Sequence, residues 1–144
     1  MQELIRYGMG NEVTLEDGMQ APLFSAEDGA GNVWNLSELL AAGKRVVLYF
    51  YPKDSTPGCT TQACDFRDNM AALSSADVAV FGVSKDSAKS HQNFTEKQDL
   101  NFPLLLDTEG ELLEQYGVWR EKKNYGRTYM GISRSTFVIE TDGT

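Results

Sequence analysis

Cys59 follows the run Tyr51-Pro52-Lys53-Asp54-Ser55-Thr56-Pro57-Gly58 and stands between an apolar, strand-like stretch, Val46-Val47-Leu48-Tyr49-Phe50, and a helical pattern. A cysteine in the first turn of a helix faces backbone N–H groups with no intrahelical partner and the positive end of the helix dipole, and both favour thiolate over thiol. A guanidinium would add to this, because arginine stays charged and offers several N–H donors to a sulfur anion or to an attacked oxygen. Arg134 and Arg127 are the distant candidates. Thr56, three residues ahead of the sulfur, can turn its hydroxyl into the same pocket, and Pro52 can exclude water without competing for hydrogen bonds. A pocket of these groups suits a peroxide.

The second and last cysteine, Cys64, comes five residues later. Two cysteines this close, in a chain with no other, suggest a redox pair. In an ideal helix five residues rotate about 140° and rise about 7.5 Å, which leaves the two Cα atoms about 8.7 Å apart. A disulfide needs roughly 4.4 to 6.8 Å. If both cysteines lie in one regular helix, Cys59 reacts first, and a bond to Cys64 forms only after at least a turn unwinds. Inert core packing is the bland reading of two cysteines on a helix. A zinc site needs about four ligands, and two cysteines with the lone His91 fall short, so no metal is expected. His91 itself lies in a polar helical segment and reads as a solvated surface residue. Trp34, Trp119 and the tyrosines read as packing.

Alternating strand-like and helix-like segments place these residues. Residues 45–51 form a near-continuous apolar run, expected as a buried central strand. Residues 60–73 put Ala63, Phe66, Met70 and Leu73 at helical spacing. A second strand is expected over 77–83, a polar helix ending near Gln98, a strand over 103–106 and a short helix over 109–116 stopped by Gly117. Residues 118–134, rich in Gly, Tyr and Lys, read as an irregular excursion, and 135–140 as a strand. Residues 24–34, around Asp28-Gly29 and Gly31-Asn32, read as an N-terminal hairpin. Ser37 is expected to cap a short helix that Gly43 ends. Residues 1–20 carry a weak pattern and read as an N-terminal extension. Asp142-Gly143 announces a hairpin turn without a following strand, so a fragment, or a sheet edge completed from outside, is expected.

With 144 residues, no internal repeats and no linker-like tract, residues 1–144 are expected to form one α/β domain. The formal net charge of −8 disfavours nucleic acid and anionic membranes as partners. No stretch approaches the roughly 20 apolar residues of a membrane span, and Met1-Gln2-Glu3-Leu4-Ile5-Arg6 lacks the marks of a signal peptide. The expected compartment is therefore the reducing cytoplasm, where close cysteine pairs are catalytic, redox-sensing or metal-binding.

The pattern Pro52-x-x-x-Thr56-x-x-Cys59 resembles the active-site signature of the peroxiredoxins. The longer string from Tyr49 through Pro57-Gly58-Cys59-Thr60-x-Gln62-Ala63-Cys64 resembles their Q-type subgroup, the bacterioferritin comigratory proteins. The likeness continues through Phe66-Arg67-Asp68-Asn69, Gly82-Val83-Ser84, Tyr116-Gly117-Val118-Trp119 and Arg134-Ser135-Thr136-Phe137. This resemblance implies a thioredoxin-like fold, a central mixed sheet flanked by helices, with the C-terminal strand and helix of the family missing here. It implies thiol-dependent reduction of hydrogen peroxide and organic hydroperoxides, with no cofactor. In this reading Cys59 is the peroxidatic cysteine and Cys64 the resolving one. Thr56 orients the peroxide, Pro52 shields the sulfenic acid and Arg134 holds the thiolate. The disulfide is reduced by thioredoxin or a related dithiol protein, and the protein is a monomer or weak dimer. A general thiol-disulfide oxidoreductase and a redox-switched protein-binding module are the competing readings.

Overall fold

In the computed structural model, residues 5–7, 12–124 and 126–144 are described. Of the weakly patterned residues 1–20, positions 1–4 and 8–11 therefore lie outside the described residues. The chain runs β1 (Ile5–Tyr7), β2 (Glu12–Thr14), β3 (Ser25–Glu27), β4 (Val33–Asn35), α1 (Leu36–Ala41), β5 (Arg45–Phe50), α2 (Pro57–Ser75), β6 (Val78–Ser84), α3 (Ala88–Gln98), β7 (Leu104–Leu106), α4 (Glu111–Gln115), β8 (Trp119–Asn124), β9 (Arg127–Ile132) and β10 (Ser135–Ile139).

Four strands form a mixed sheet in the order β10-β5-β6-β7. β5, β6 and β7 are parallel, and β10 pairs antiparallel with β5, Ser135 opposite Phe50 and Ile139 opposite Val46. The apolar run of β5 is explained by its central place, since Val46 to Phe50 are all buried and side chains leave both faces of the sheet. One face carries Val46, Leu48, Phe50, Phe81 and Val83 into a core closed by α1 and α4. The other carries Val47, Tyr49 and Val80 against α2 and α3, with Cys59 and Ala63 in the same cluster. Gly82 is required here, because a Cβ at that position would come within 2.8 Å of the Tyr49 ring and the Leu104 side chain.

The expected strands and helices of the sheet are present, each shifted by a few residues at most. Two expectations fail. Residues 118–134 are not irregular: β8 and β9 pair along six registered positions, Trp119 with Ile132 through Asn124 with Arg127. Residues 127–130 are all exposed, so these strands show no alternation of apolar and polar positions. Ser37 is not the cap of α1. That role falls to Asn35, whose Oδ1 accepts from the Glu38 N–H at 3.3 Å, while the Ser37 hydroxyl donates to the same Oδ1 at 2.7 Å.

The expected hairpin at 24–34 is β3 paired with β4. Asp28 organises its turn: its carboxylate accepts from the backbone N–H of Ala30 at 2.8 Å and of Asn32 at 3.0 Å, and from Trp34 Nε1 at 2.9 Å. Trp34 and Tyr116 pack as expected, edge-on to Phe81 and Phe24. β10 forms an edge of the sheet, with Val138 58 % exposed.

Candidate active site

The C-terminal end of β5 delivers the chain into the loop 51–56, and α2 starts at Pro57. Proline fits the first helical position, where its missing N–H costs no bond. Cys59 is thus the third residue of α2, within the turn where backbone N–H groups lack helical partners. Thr56 is the N-cap residue in extended conformation, but its side chain makes no capping bond. Its Oγ1 donates instead to the Lys53 carbonyl at 3.0 Å, which leaves the hydroxyl oxygen able to accept. Ser55, just before it, holds a left-handed φ of 65°, a conformation rarely adopted outside glycine.

Cys59 is 1 % exposed, packed with Tyr49, Tyr51 and Ala63. It is not isolated among hydrocarbon: Arg134 Nη2 lies 3.0 Å from its sulfur. Arg134 arrives from the residue before β10, and its Nη1 donates to Gln62 Oε1 at 2.6 Å. Gln62 is one turn along α2 from Cys59, so helix and guanidinium are fixed to each other. A guanidinium donating to sulfur stabilises the anion more than the neutral thiol, and it also offers donors where negative charge develops on a departing oxygen. Of the two candidate arginines the structure brings Arg134 to the sulfur. Arg127 sits at the exposed start of β9.

Pro52 lies on the same loop with its ring exposed. Cys64 also lies in α2, half-buried, and both cysteines are free thiols. Its Sγ is 3.6 Å from Gln98 Oε1 on α3. With both cysteines in continuous helix, their Cα atoms are about 8.7 Å apart by helical geometry, beyond disulfide reach.

His91 corrects the sequence reading. It is 1 % exposed, not a solvated residue, because α3 buries only the stripe of His91 and Phe94. Its Nδ1 is 2.7 Å from Asp54 Oδ2 and its Nε2 is 2.9 Å from the Leu105 carbonyl. The carbonyl can only accept, so Nε2 carries a hydrogen, and one further proton lies between Nδ1 and the carboxylate. Asp54 also accepts from the Tyr51 hydroxyl at 2.5 Å and the Ser90 hydroxyl at 2.8 Å. Burial pushes the Asp54 carboxyl up, but the hydrogen bonds of His91, Tyr51 and Ser90 outweigh it and hold the group below its ordinary range. Burial, then the Asp54 charge, push the Tyr51 hydroxyl well above its usual value, so it stays a donor.

The Asp54 backbone N–H donates to Asp86 Oδ2 at 2.9 Å, and Ser84 Oγ donates to the same oxygen at 2.6 Å. Ligand atoms of Asp54, Asp86 and His91 lie within 4.8 Å of one another, the donor set of a divalent cation. Both Asp54 oxygens, Asp86 Oδ2 and both His91 ring nitrogens carry hydrogen bonds, and the cluster acts as a knot that ties the loop ahead of Cys59 to β6 and α3.

Gln62 and the Asp54–His91 pair carry no role in the sequence reading. Gln62 was accessible, being three residues from Cys59 and so on the same helical face. The pair spans 37 residues and no local spacing announces it.

The sequence matches the AhpC/TSA family over residues 18–144. It is 49 % identical over 131 residues to the peroxiredoxin Bcp of Bacillus subtilis, covering 91 % of this chain and 82 % of that protein. To the peroxiredoxin Bcp of Escherichia coli it is 49 % identical over 129 residues, covering 90 % and 81 %. Among solved structures, peroxiredoxin Q of Xanthomonas campestris superposes with a TM-score of 0.77 at 42 % identity, covering 83 % of this chain and 75 % of that one. Peroxidoxin BcpB of Mycobacterium tuberculosis gives 0.76 at 36 %, covering 88 % and 79 %. The mixed sheet with its flanking helices is accordingly the thioredoxin-like fold that these proteins share. Matched along most of its length and nearly half identical to two Bcp proteins, the chain belongs to the AhpC/TSA family, in its Q-type peroxiredoxin branch.

Proposed function

We propose that in this thiol peroxidase Cys59 is the nucleophile and Cys64 the thiol that resolves it. The observation that carries the assignment is the 3.0 Å contact between Arg134 Nη2 and a buried sulfur in the first turn of α2. The Cys59 thiolate attacks one oxygen of hydrogen peroxide or an organic hydroperoxide. An S–O bond forms as the O–O bond breaks, and the displaced oxygen leaves as water or alcohol after taking a proton. Sulfur loses two electrons and becomes a sulfenic acid. Arg134 faces the charge that develops, the Thr56 hydroxyl oxygen accepts from the peroxide and orients it, and Pro52 shields the sulfenic acid. Cys64 then attacks the sulfenic sulfur, forming S–S and expelling the oxygen as water. A thioredoxin-type dithiol protein reduces the disulfide by exchange and is itself oxidised.

A structure of the Xanthomonas campestris bacterioferritin comigratory protein is reported for its alkyl peroxide reduction, which supports organic hydroperoxides as substrates here. No helix among the described residues is long and apolar enough to cross a membrane. We further propose that residues 1–144 act as one domain, working as a monomer or weak dimer in the cytoplasm.

Peroxide consumption coupled to thioredoxin and its reductase tests the assignment. The Cys59→Ser variant is expected to show no turnover, and turnover at the level of the parent chain overturns the reading.

A further inference from the structure

Resolution requires the start of α2 to open, and the helix does little to hold itself there. Its N-cap side chain makes no capping bond, no acidic residue sits in its first turn, and it begins with proline and glycine. The residue ahead of the cap, Ser55, is in a left-handed conformation. Hence the closed form of this segment depends on what grips it from outside.

α3 grips it on both sides of Cys59. Ahead of the sulfur, His91 and Ser90 of α3 hold the Asp54 carboxylate at 2.7 and 2.8 Å. Behind it, the last residue of α3, Gln98, accepts twice from α2. Its backbone carbonyl takes a bond from Arg67 Nη1 at 2.7 Å, and its side-chain oxygen faces the Cys64 sulfur at 3.6 Å. α3 stops at this point because Asp99 turns left-handed at φ 52°, which leaves the Gln98 carbonyl free of further helix. Cys64 is therefore tied to α3, away from Cys59, and must exchange that contact for the sulfenic sulfur.

We propose that α3 is the clamp that sets how fast the sulfenic acid is resolved, with Arg67 and Gln98 as its releasable arm and His91 with Asp54 as its fixed one. The inference rests on the assignment of Cys59 and Cys64 above. Arg67, Gln98 and His91 are positioning residues: they act on the backbone that carries the two sulfurs. A tight clamp lengthens the life of the sulfenic acid and so its exposure to a second peroxide, which would take the sulfur to sulfinic acid. A loose clamp resolves sooner and over-oxidises less.

The test follows intrinsic tryptophan fluorescence after rapid mixing of the reduced protein with hydrogen peroxide, separating sulfenic acid formation from disulfide formation. Arg67→Ala is expected to leave the first phase unchanged and to speed the second about tenfold, from loss of one charge-assisted hydrogen bond. Gln98→Ala, which keeps the carbonyl and loses only a weak thiol contact, should speed it about threefold. Arg67→Lys, retaining a donor, should restore most of the parent rate. Sulfinic acid measured by mass spectrometry at high peroxide should fall in the same order. Leu113→Ala, in the core on the far face of the sheet, lowers overall stability without touching α2 and serves as the control.

A normal first phase with an unmoved second phase in Arg67→Ala overturns the clamp while leaving the peroxidase assignment standing. Equal acceleration in Leu113→Ala overturns it too, by showing that overall stability sets the rate. Amide hydrogen exchange of the reduced protein reads the clamp without peroxide. Arg67→Ala should speed exchange at residues 59–67 and leave β5 and β6 unchanged, and uniform or absent acceleration counts against the proposal. Failure of the first phase in the parent chain would instead remove the assignment of Cys59.

Discussion

The two cysteines of α2 are five residues apart and live in opposite surroundings. Cys59 is sealed from solvent and touched by a guanidinium that Gln62 holds in place. Cys64 is half-buried and its sulfur faces a neutral amide oxygen at 3.6 Å. In the proposed mechanism the first sulfur is prepared for attack on an O–O bond by a fixed charge. The other is parked. On the proposed assignment one helix serves two successive reactions: the first needs the helix intact and the second needs it open, which fits a charge at one thiol and only a weak contact at the other.

The sharpest way to break this contrast is to remove the parked thiol. Cys64→Ser should form sulfenic acid at the parent rate, seen as a mass gain of one oxygen, while thioredoxin-linked turnover falls to near zero. Parent-level turnover would show that another thiol resolves Cys59. Next in size is removal of the charge. Arg134→Met, close in volume but neutral, should lower the second-order rate with hydrogen peroxide about 100-fold or more, the range seen on deleting a donor to a developing oxyanion, and should leave the fold intact by circular dichroism.

Gln62→Ala probes the orientation of that charge rather than its presence. The side-chain contact at 2.6 Å is lost and Arg134 gains freedom, so a drop of about fivefold in the same rate is expected, within the worth of one hydrogen bond to a charged group. The smallest effect concerns acid. Asp54 is held below its ordinary range, so the unfolded chain takes up the proton more readily than the folded one. The stability it contributes is complete above the unfolded carboxyl pKa of about 3.9 and is lost as pH falls through the folded value. Urea unfolding of the parent chain and Asp54→Asn should therefore differ at about pH 5 and converge as the pH falls below about 4.

Much of this architecture is legible in the sequence, for reasons visible in particular elements. β5 declares itself because both its faces are buried, so apolar residues follow one another without a break. The reactive centre is legible because its chemistry is local: strand, loop, proline, glycine and cysteine follow in order. Arg134 is told apart from Arg127 only through resemblance, since 75 residues separate it from the sulfur it meets. β8 and β9 stay hidden because the strand signal is half-burial, and β9 is exposed along most of its length. His91 stays hidden because α3 is polar nearly all round, and its buried stripe is two residues wide. Nothing near it in the chain names the carboxylate that makes its burial tolerable.

The pairing of β10 with β5 fixes where the guanidinium of Arg134 stands. Arg134 has no element of its own to place it; it precedes Ser135, which faces Phe50, and Phe50 is nine residues upstream of Cys59. Sliding the edge strand by a single position would turn each of its side chains to the opposite face of the sheet and carry the guanidinium off the sulfur. With Arg134 in its proposed role, chemical competence is calibrated by strand alignment, and an enzyme with all its proposed catalytic residues present but its border strand misaligned would be folded and inert.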